Sequence, residues 1–194
     1  MTTQQKQITS TNEQDRAVAV LTTAFSGDPI LRWVFPDSRQ YLTDFPRLVR
    51  AFAGAAFENE TAHCAEDFSA IALWLAPGVN PDEEATGALL DEVIPDARKE
   101  EAFAFLGQMG EFHPTEPLWY LPLIGVDPAQ QGRGYGSALL AHALARCDHQ
   151  GSSAYLEATS PRNKALYERH GFDEIGVIRA GSSPPMWLMV RKPR

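Results

Sequence analysis

Cysteine, long apolar runs and positive charge are all scarce in this chain, and each shortage narrows what it can be. Two cysteines in 194 residues, Cys64 and Cys147, are too few for a disulfide framework, and no Cys/His cluster has zinc-ligand spacing, so no metal is expected. Cys147 falls on the apolar face of an expected helix, as a small hydrophobe would. Charge, Pro or Gly interrupts every apolar run well short of the about 18 residues that a membrane helix needs. The start, Met1 to Gln7, has no apolar segment of the secretory type. A cytoplasmic setting with no membrane partner is therefore expected. With 17 Lys and Arg against 25 Asp and Glu, net charge is −8, which leaves no basic stripe for nucleic acid.

What is present is an ordinary globular mixture, 44% apolar and 22% charged, of a length that suits one domain. Ser10 to Glu13 reads as a capping box before a helix whose apolar face is Ala17, Val20, Leu21, Ala24 and Phe25. Asp28 to Asp37 reads as a short helical piece or loop. Phe45, Leu48, Val49, Phe52 and Ala56 mark another helix. Strands are expected at about 61–66 and 69–76, turning at Glu66-Asp67. Asn80-Pro81 before Glu83 reads as a helix start, and Ala102, Phe105, Leu106 and Met109 line a further helix. A strand at 117–126 contains Pro122, which cannot donate to a ladder and marks a bulge. Leu139, Leu140, Ala143, Leu144 and Cys147 share one helix face. Ser160-Pro161 opens another helix that Gly171 stops, and strands near 173–179 and 185–191 close the chain. Alternating helices and strands imply an α/β layer structure with a mixed sheet.

The most informative stretch joins the strand at 117–126 to the next helix. Gln131-Gly132-Arg133-Gly134-Tyr135-Gly136-Ser137 places three alternating glycines at a helix start, where bare N–H groups and the helix dipole favour an anion. No P-loop string occurs. A dinucleotide fingerprint has its first two glycines but Ser137 where the third belongs, although Glu157 lies about 20 residues on, as a ribose-binding acid would. Read as Q-x-x-G-x-G, the loop resembles the acyl-CoA loop of the GCN5-related N-acetyltransferase (GNAT) superfamily. Downstream, Tyr155 to Thr159, Asn163, Ala165, Tyr167 and Gly171-Phe172 follow that family's pattern in order, so the resemblance covers about residues 118–192. Asp28-Pro29, Trp33 to Asp37, Trp119-Tyr120-Leu121 and Pro184 to Trp187 look like the branch that includes puromycin-type acetyltransferases.

The resemblance implies a single GNAT-like domain over 1–194. It has a mixed, mostly antiparallel central sheet flanked by helices, and a splayed strand pair forms the acyl-CoA cleft. Residues 1–116 would supply mainly the acceptor side and the N-terminal sheet, and 117–192 the acyl-CoA-binding core. It implies acetyl transfer from acetyl-CoA to a primary amine, on a small molecule or peptide, by direct attack. The main chain of Ile124, Gly125 and Val126 would pair with pantetheine. The loop from Gln131 to Ser137 would hold the diphosphate, and Asn163 the pantetheine amide. Arg133 is either a phosphate contact or a solvated side chain; with Arg162, Lys164 and Arg169 it gives local positive charge. Tyr167 would protonate the departing thiolate, or else simply pack its ring.

Glu157 is the candidate base, against a solvated strand residue. Glu111, His113 and Glu116 are weaker candidates, and His63 and His170 have no supporting context. Trp33, Phe35, Trp119 and Trp187 are candidate walls of an acceptor pocket, or core. A non-catalytic acyl-CoA-binding regulatory module and a dinucleotide-dependent enzyme are the rival readings. Monomer and homodimer are both compatible.

Overall fold

The structure, a computed structural model, describes residues 6–194. Its strands are β1 (Ile8–Ser10), β2 (Ala62–Ala65), β3 (Ala70–Leu75), β4 (Trp119–Val126), β5 (Ala154–Ala158), β6 (Asp173–Ile178) and β7 (Met186–Arg191). They form one sheet in the order β1-β2-β3-β4-β5-β7-β6, antiparallel except between β4 and β5. The helices are α1 (Gln14–Ala24), α2 (Pro29–Val34), α3 (Ser38–Ala53), α4 (Ala55–Glu58), α5 (Glu83–Val93), α6 (Asp96–Phe112), α7 (Tyr135–Gln150) and α8 (Pro161–Arg169).

Two apolar cores flank the sheet. Ile71, Leu73 and Leu75 of β3 face a core with Leu21, Tyr41, Phe45 and Phe105 from α1, α3 and α6. Ala70, Ala72 and Trp74 face a second core with Leu139, Leu140, Leu144 and Cys147 of α7. The period-2 pleat sorts β3 to both sides, and every β3 residue is buried, as suits a central strand. All five apolar positions expected to share a face of α7 are buried.

Two helix starts differ from the sequence reading. Ser10 ends β1, paired with His63, so the Ser10–Glu13 capping box does not form. Thr11 instead accepts from the Glu13 amide. Strand pairing with a segment more than fifty residues away took the residue that local pattern assigned to a cap. For α5 the cap is Asp82, whose carboxylate accepts from the Ala85 amide at 2.9 Å, and Asn80-Pro81 precede it. Ser160 caps α8 as expected, accepting from Asn163, and Gly171 follows the helix at φ 87°.

Pro122 does mark a bulge. Leu73 pairs with Leu123 and Leu75 with Tyr120, so two β3 steps oppose three on β4. The alternation of β4 slips accordingly. Tyr120 and Leu123 face the first core, whereas Trp119, Leu121, Ile124 and Val126 face the second. On its other edge β4 pairs with β5 only at Trp119–Ala154 and Tyr120–Tyr155. Beyond the bulge the two strands part, which opens a cleft.

Candidate active site

Past Tyr120, the β4 edge toward β5 has no ladder partner among the described residues. Backbone N–H and C=O groups left this way must pair with water or a ligand. A groove of about 790 Å³ runs along this edge from Ile124, Gly125 and Val126 to the first turn of α7 and across to α8. Gly125 has a packing reason as well: an added Cβ would lie 2.8 Å from Ala24 Cβ, so only glycine lets α1 approach β4.

The loop residues divide by role. Gly132 and Gly134 have φ of 77° and 84°, the left-handed region, and a Cβ there would meet nothing within 4 Å. No side chain caps α7 at Gly134, so its first-turn amides face the groove uncapped. Gly136 packs against Val126 and Leu166. Gln131 reaches the Val126 carbonyl and accepts from Arg162. Tyr135 turns its ring inward, donates to Glu66 at 3.0 Å and carries the Lys6 ammonium on its face. Ser137 shares a 2.6 Å hydrogen bond with His170. Arg162 and Arg169 line the groove. Arg133 does not: it is exposed and outside the lining. Lys164 is committed to Glu168 and Glu174. Half of the expected basic cluster therefore faces elsewhere.

A second cavity, about 140 Å³, opens from the groove on the side of the first core. Asp28, Ile124, Asn163 and Tyr167 line both spaces and mark their junction. Tyr167 is buried beside Phe172, and no protein hydrogen bond engages its hydroxyl among the described residues. Burial, then the charges of Asp28 and Glu157, push its pKa up, so the phenol keeps its proton.

Glu157 lines the cavity and accepts from the Tyr120 hydroxyl at 2.9 Å, while its Oε1 is buried with no partner. Burial raises its pKa to about 7, against the opposing pull of the Tyr120 and Tyr155 hydroxyls. Such a carboxylate is poised to exchange a proton near neutrality.

Other expectations separate here. Glu111 and Glu116 are exposed and line neither space, whereas His113 packs edge-on against Tyr120 and Tyr155, one layer behind Glu157. His63 lies against His142, under α7. Of the four expected pocket aromatics only Trp33 lines the cavity. Phe35 is fully buried in the first core; Trp119 and Trp187 belong to the second. Trp119 on β4 and Trp187 on β7 alternate onto the face away from the cavity.

Asp28, Tyr120 and Thr159 entered the sequence reading only as parts of an element or a resemblance, with no role in the site assigned to any of them. Asp28 caps α2 through the Ile30 and Leu31 amides and accepts from the Thr159 hydroxyl, and burial raises its pKa. A short helical piece from Asp28 was legible as one alternative, but the Asp28 bond to a residue 131 positions on was not.

Comparison with known proteins agrees with this architecture. Residues 97–172 match the model of the acetyltransferase (GNAT) family. An uncharacterized N-acetyltransferase of Schizosaccharomyces pombe is 27% identical over 199 residues, spanning 92% of this chain and 79% of that protein. N-alpha-acetyltransferase RimI of Mycobacterium tuberculosis is 37% identical over 79 residues, 40% of this chain; the match spans about half, 48%, of RimI. The solved structure of histone acetyltransferase HPA2 and related acetyltransferase from Corynebacterium glutamicum superposes with a TM-score of 0.68 at 27% identity, over 98% of this chain and 97% of that one. Splayed strands, uncapped glycine turn and matches converge: residues 97–172 match the acetyltransferase (GNAT) family, and nearly the whole chain shares its fold with a solved acetyltransferase.

Proposed function

We propose that the protein transfers acetyl from acetyl-CoA to a primary amine by direct attack, with no covalent enzyme intermediate. One observation carries the reading: Tyr167 and Asn163 stand where the groove beside the splayed β4 edge meets a cavity holding a carboxylate of raised pKa. The groove residues fit acetyl-CoA. The amides of Gly134 to Gly136 and the guanidinium groups of Arg162 and Arg169 suit its phosphates. The free edge of β4 at Ile124 to Val126 suits the amide-bearing pantetheine arm, as a strand would add. Asn163, which lines both spaces, suits a hydrogen bond to that arm. The thioester supplies an acyl group with a good leaving thiolate.

The protein's own groups manage protons and charge. An alkyl ammonium, with pKa near 10, cannot attack. Glu157 takes its proton and Tyr120 orients the carboxylate. The free amine forms a C–N bond to the carbonyl carbon, a β4 amide steadies the developing oxyanion, and the C–S bond breaks. Tyr167 protonates the thiolate and is restored by the proton leaving the new amide.

An acyl-CoA-binding regulatory module built on the same groove would bind without turnover. The puromycin-type resemblance bears on the acceptor and remains an expectation. Thermal shift and thiol release together test the proposal. Acetyl-CoA at about 100 times Kd stabilises by about 2.7 kcal/mol, NAD does not, and a primary amine elicits free thiol. Stabilisation by NAD alone overturns the reading; stabilisation by acetyl-CoA with no thiol release from any amine leaves the regulatory module.

A further inference from the structure

The cavity beside β4 has walls of one character and a floor of another. Leu31, Val34, Leu48, Leu90, Leu106 and Met109, from α2, α3, α5 and α6, give an aliphatic wall. Apart from Thr86 and the Trp33 indole, which donates to Ser182, its polar side chains gather at the junction with the groove. There Thr159 is bonded to Asp28, and Tyr167 feels both Asp28 and Glu157. No Lys, Arg or His lines it among the described residues. Glu157, buried with the Tyr120 and Tyr155 hydroxyls beside it, is a carboxylate with no cationic partner in the cavity lining among the described residues. An apolar cavity of about 150 Å³ holds one benzene-sized molecule, and this one is about 140 Å³.

We propose that this cavity selects a primary monoamine on an uncharged apolar body of about one ring, with the ammonium at Glu157 and the body among α2, α3, α5 and α6. The proposal rests on the acetyl-transfer reading above and narrows its acceptor. Charge complementarity at Glu157, in a lining without Lys, Arg or His, fixes the ammonium end. A second cation, as in a polyamine or guanidino amine, would be desolvated against the aliphatic wall without a counter-charge. A peptide would bring backbone groups that the wall cannot pair.

The test uses the full chain with 2-phenylethylamine, agmatine and a lysine-containing peptide. Calorimetry measures amine binding to the CoA-loaded protein, and thiol release from acetyl-CoA measures turnover. Phenylethylamine is expected to bind, with kcat/KM at least about 100-fold above agmatine or the peptide. Leu106 is a half-buried wall residue. Leu106→Glu should narrow that preference at least about tenfold with acetyl-CoA affinity unchanged; Leu106→Gln, a milder change, should move it in the same direction if the first variant misfolds. Preference for agmatine or the peptide, or no binding of phenylethylamine while another amine turns over, overturns the proposal and leaves acetyl transfer standing. Binding of phenylethylamine without thiol release from any amine upholds the cavity's chemistry and overturns the transfer reading. No binding of any amine to the loaded protein overturns the proposal.

Discussion

Glu157 illustrates how a residue's role depends on what lies over it. A glutamate in a short strand has every local reason to be solvated, yet β5 turns it toward the first core with Tyr155, and packing strips its Oε1 of water. Its type and position were legible in sequence, but its raised pKa was not. The reactive base is the ionised carboxylate, so kcat/KM should rise with pH through about 7, and Glu157→Gln should lose that limb along with activity. Stability runs the other way. The folded carboxyl holds its proton to about pH 7 where the unfolded one releases it near 4.5, so its contribution is full below 4.5 and lost as pH rises through 7. Glu157→Gln should therefore gain melting temperature relative to the native chain at pH 8 more than at pH 5. Tyr167→Phe removes one oxygen that no hydrogen bond engages among the described residues. Turnover should fall about 10²–10⁴-fold with acetyl-CoA affinity unchanged in calorimetry; unchanged turnover would remove Tyr167 from proton transfer.

The glycine turn and the bulged strand were the most readable elements, because each rests on a residue with few alternatives. Proline within β4 had to break the ladder, and left-handed backbone at Gly132 and Gly134 is cheap only for glycine. A Cβ at Gly134 meets open space, so Gly134→Ala suffers backbone strain rather than a clash, roughly 1–2 kcal/mol. If that turn presents amides to a diphosphate, affinity for acetyl-CoA should fall about tenfold by calorimetry for each ~1.4 kcal/mol that binding loses; equal affinity in a folded variant would detach the turn from the ligand. Helix starts were less legible. Strand β1 claimed Ser10 by pairing across more than fifty residues, and the α5 cap fell to Asp82, where the carboxylate reached a free amide. Apart from Trp33, the cavity walls escaped notice because α2, α3, α5 and α6 are assembled by tertiary packing, not by any spacing along the chain.

For the molecule as a whole, a single sheet carries the groove on its splayed edge and a core on each face, so stability and binding share the same strands. One source of acid sensitivity lies far from the site. His63, buried under α7, has its pKa lowered to about 4, first by burial and then by His142 and Arg146. The neutral ring is the folded form, so stability is full above about pH 6.5 and falls as pH drops toward 4, by up to about 3 kcal/mol. Urea unfolding at pH 7 and pH 5 should show the loss, and His63→Gln should flatten it. The net charge of −8 is no obstacle to an anionic ligand, because Arg162, Arg169 and the α7 dipole supply local positive potential. The most direct test of the whole account is a crystal structure with acetyl-CoA bound. The account predicts the diphosphate on the amides of Gly134 to Gly136, pantetheine along β4 from Val126 to Ile124, and the sulfur beside the Tyr167 hydroxyl. Cofactor density elsewhere, with that groove filled only by water, would contradict it.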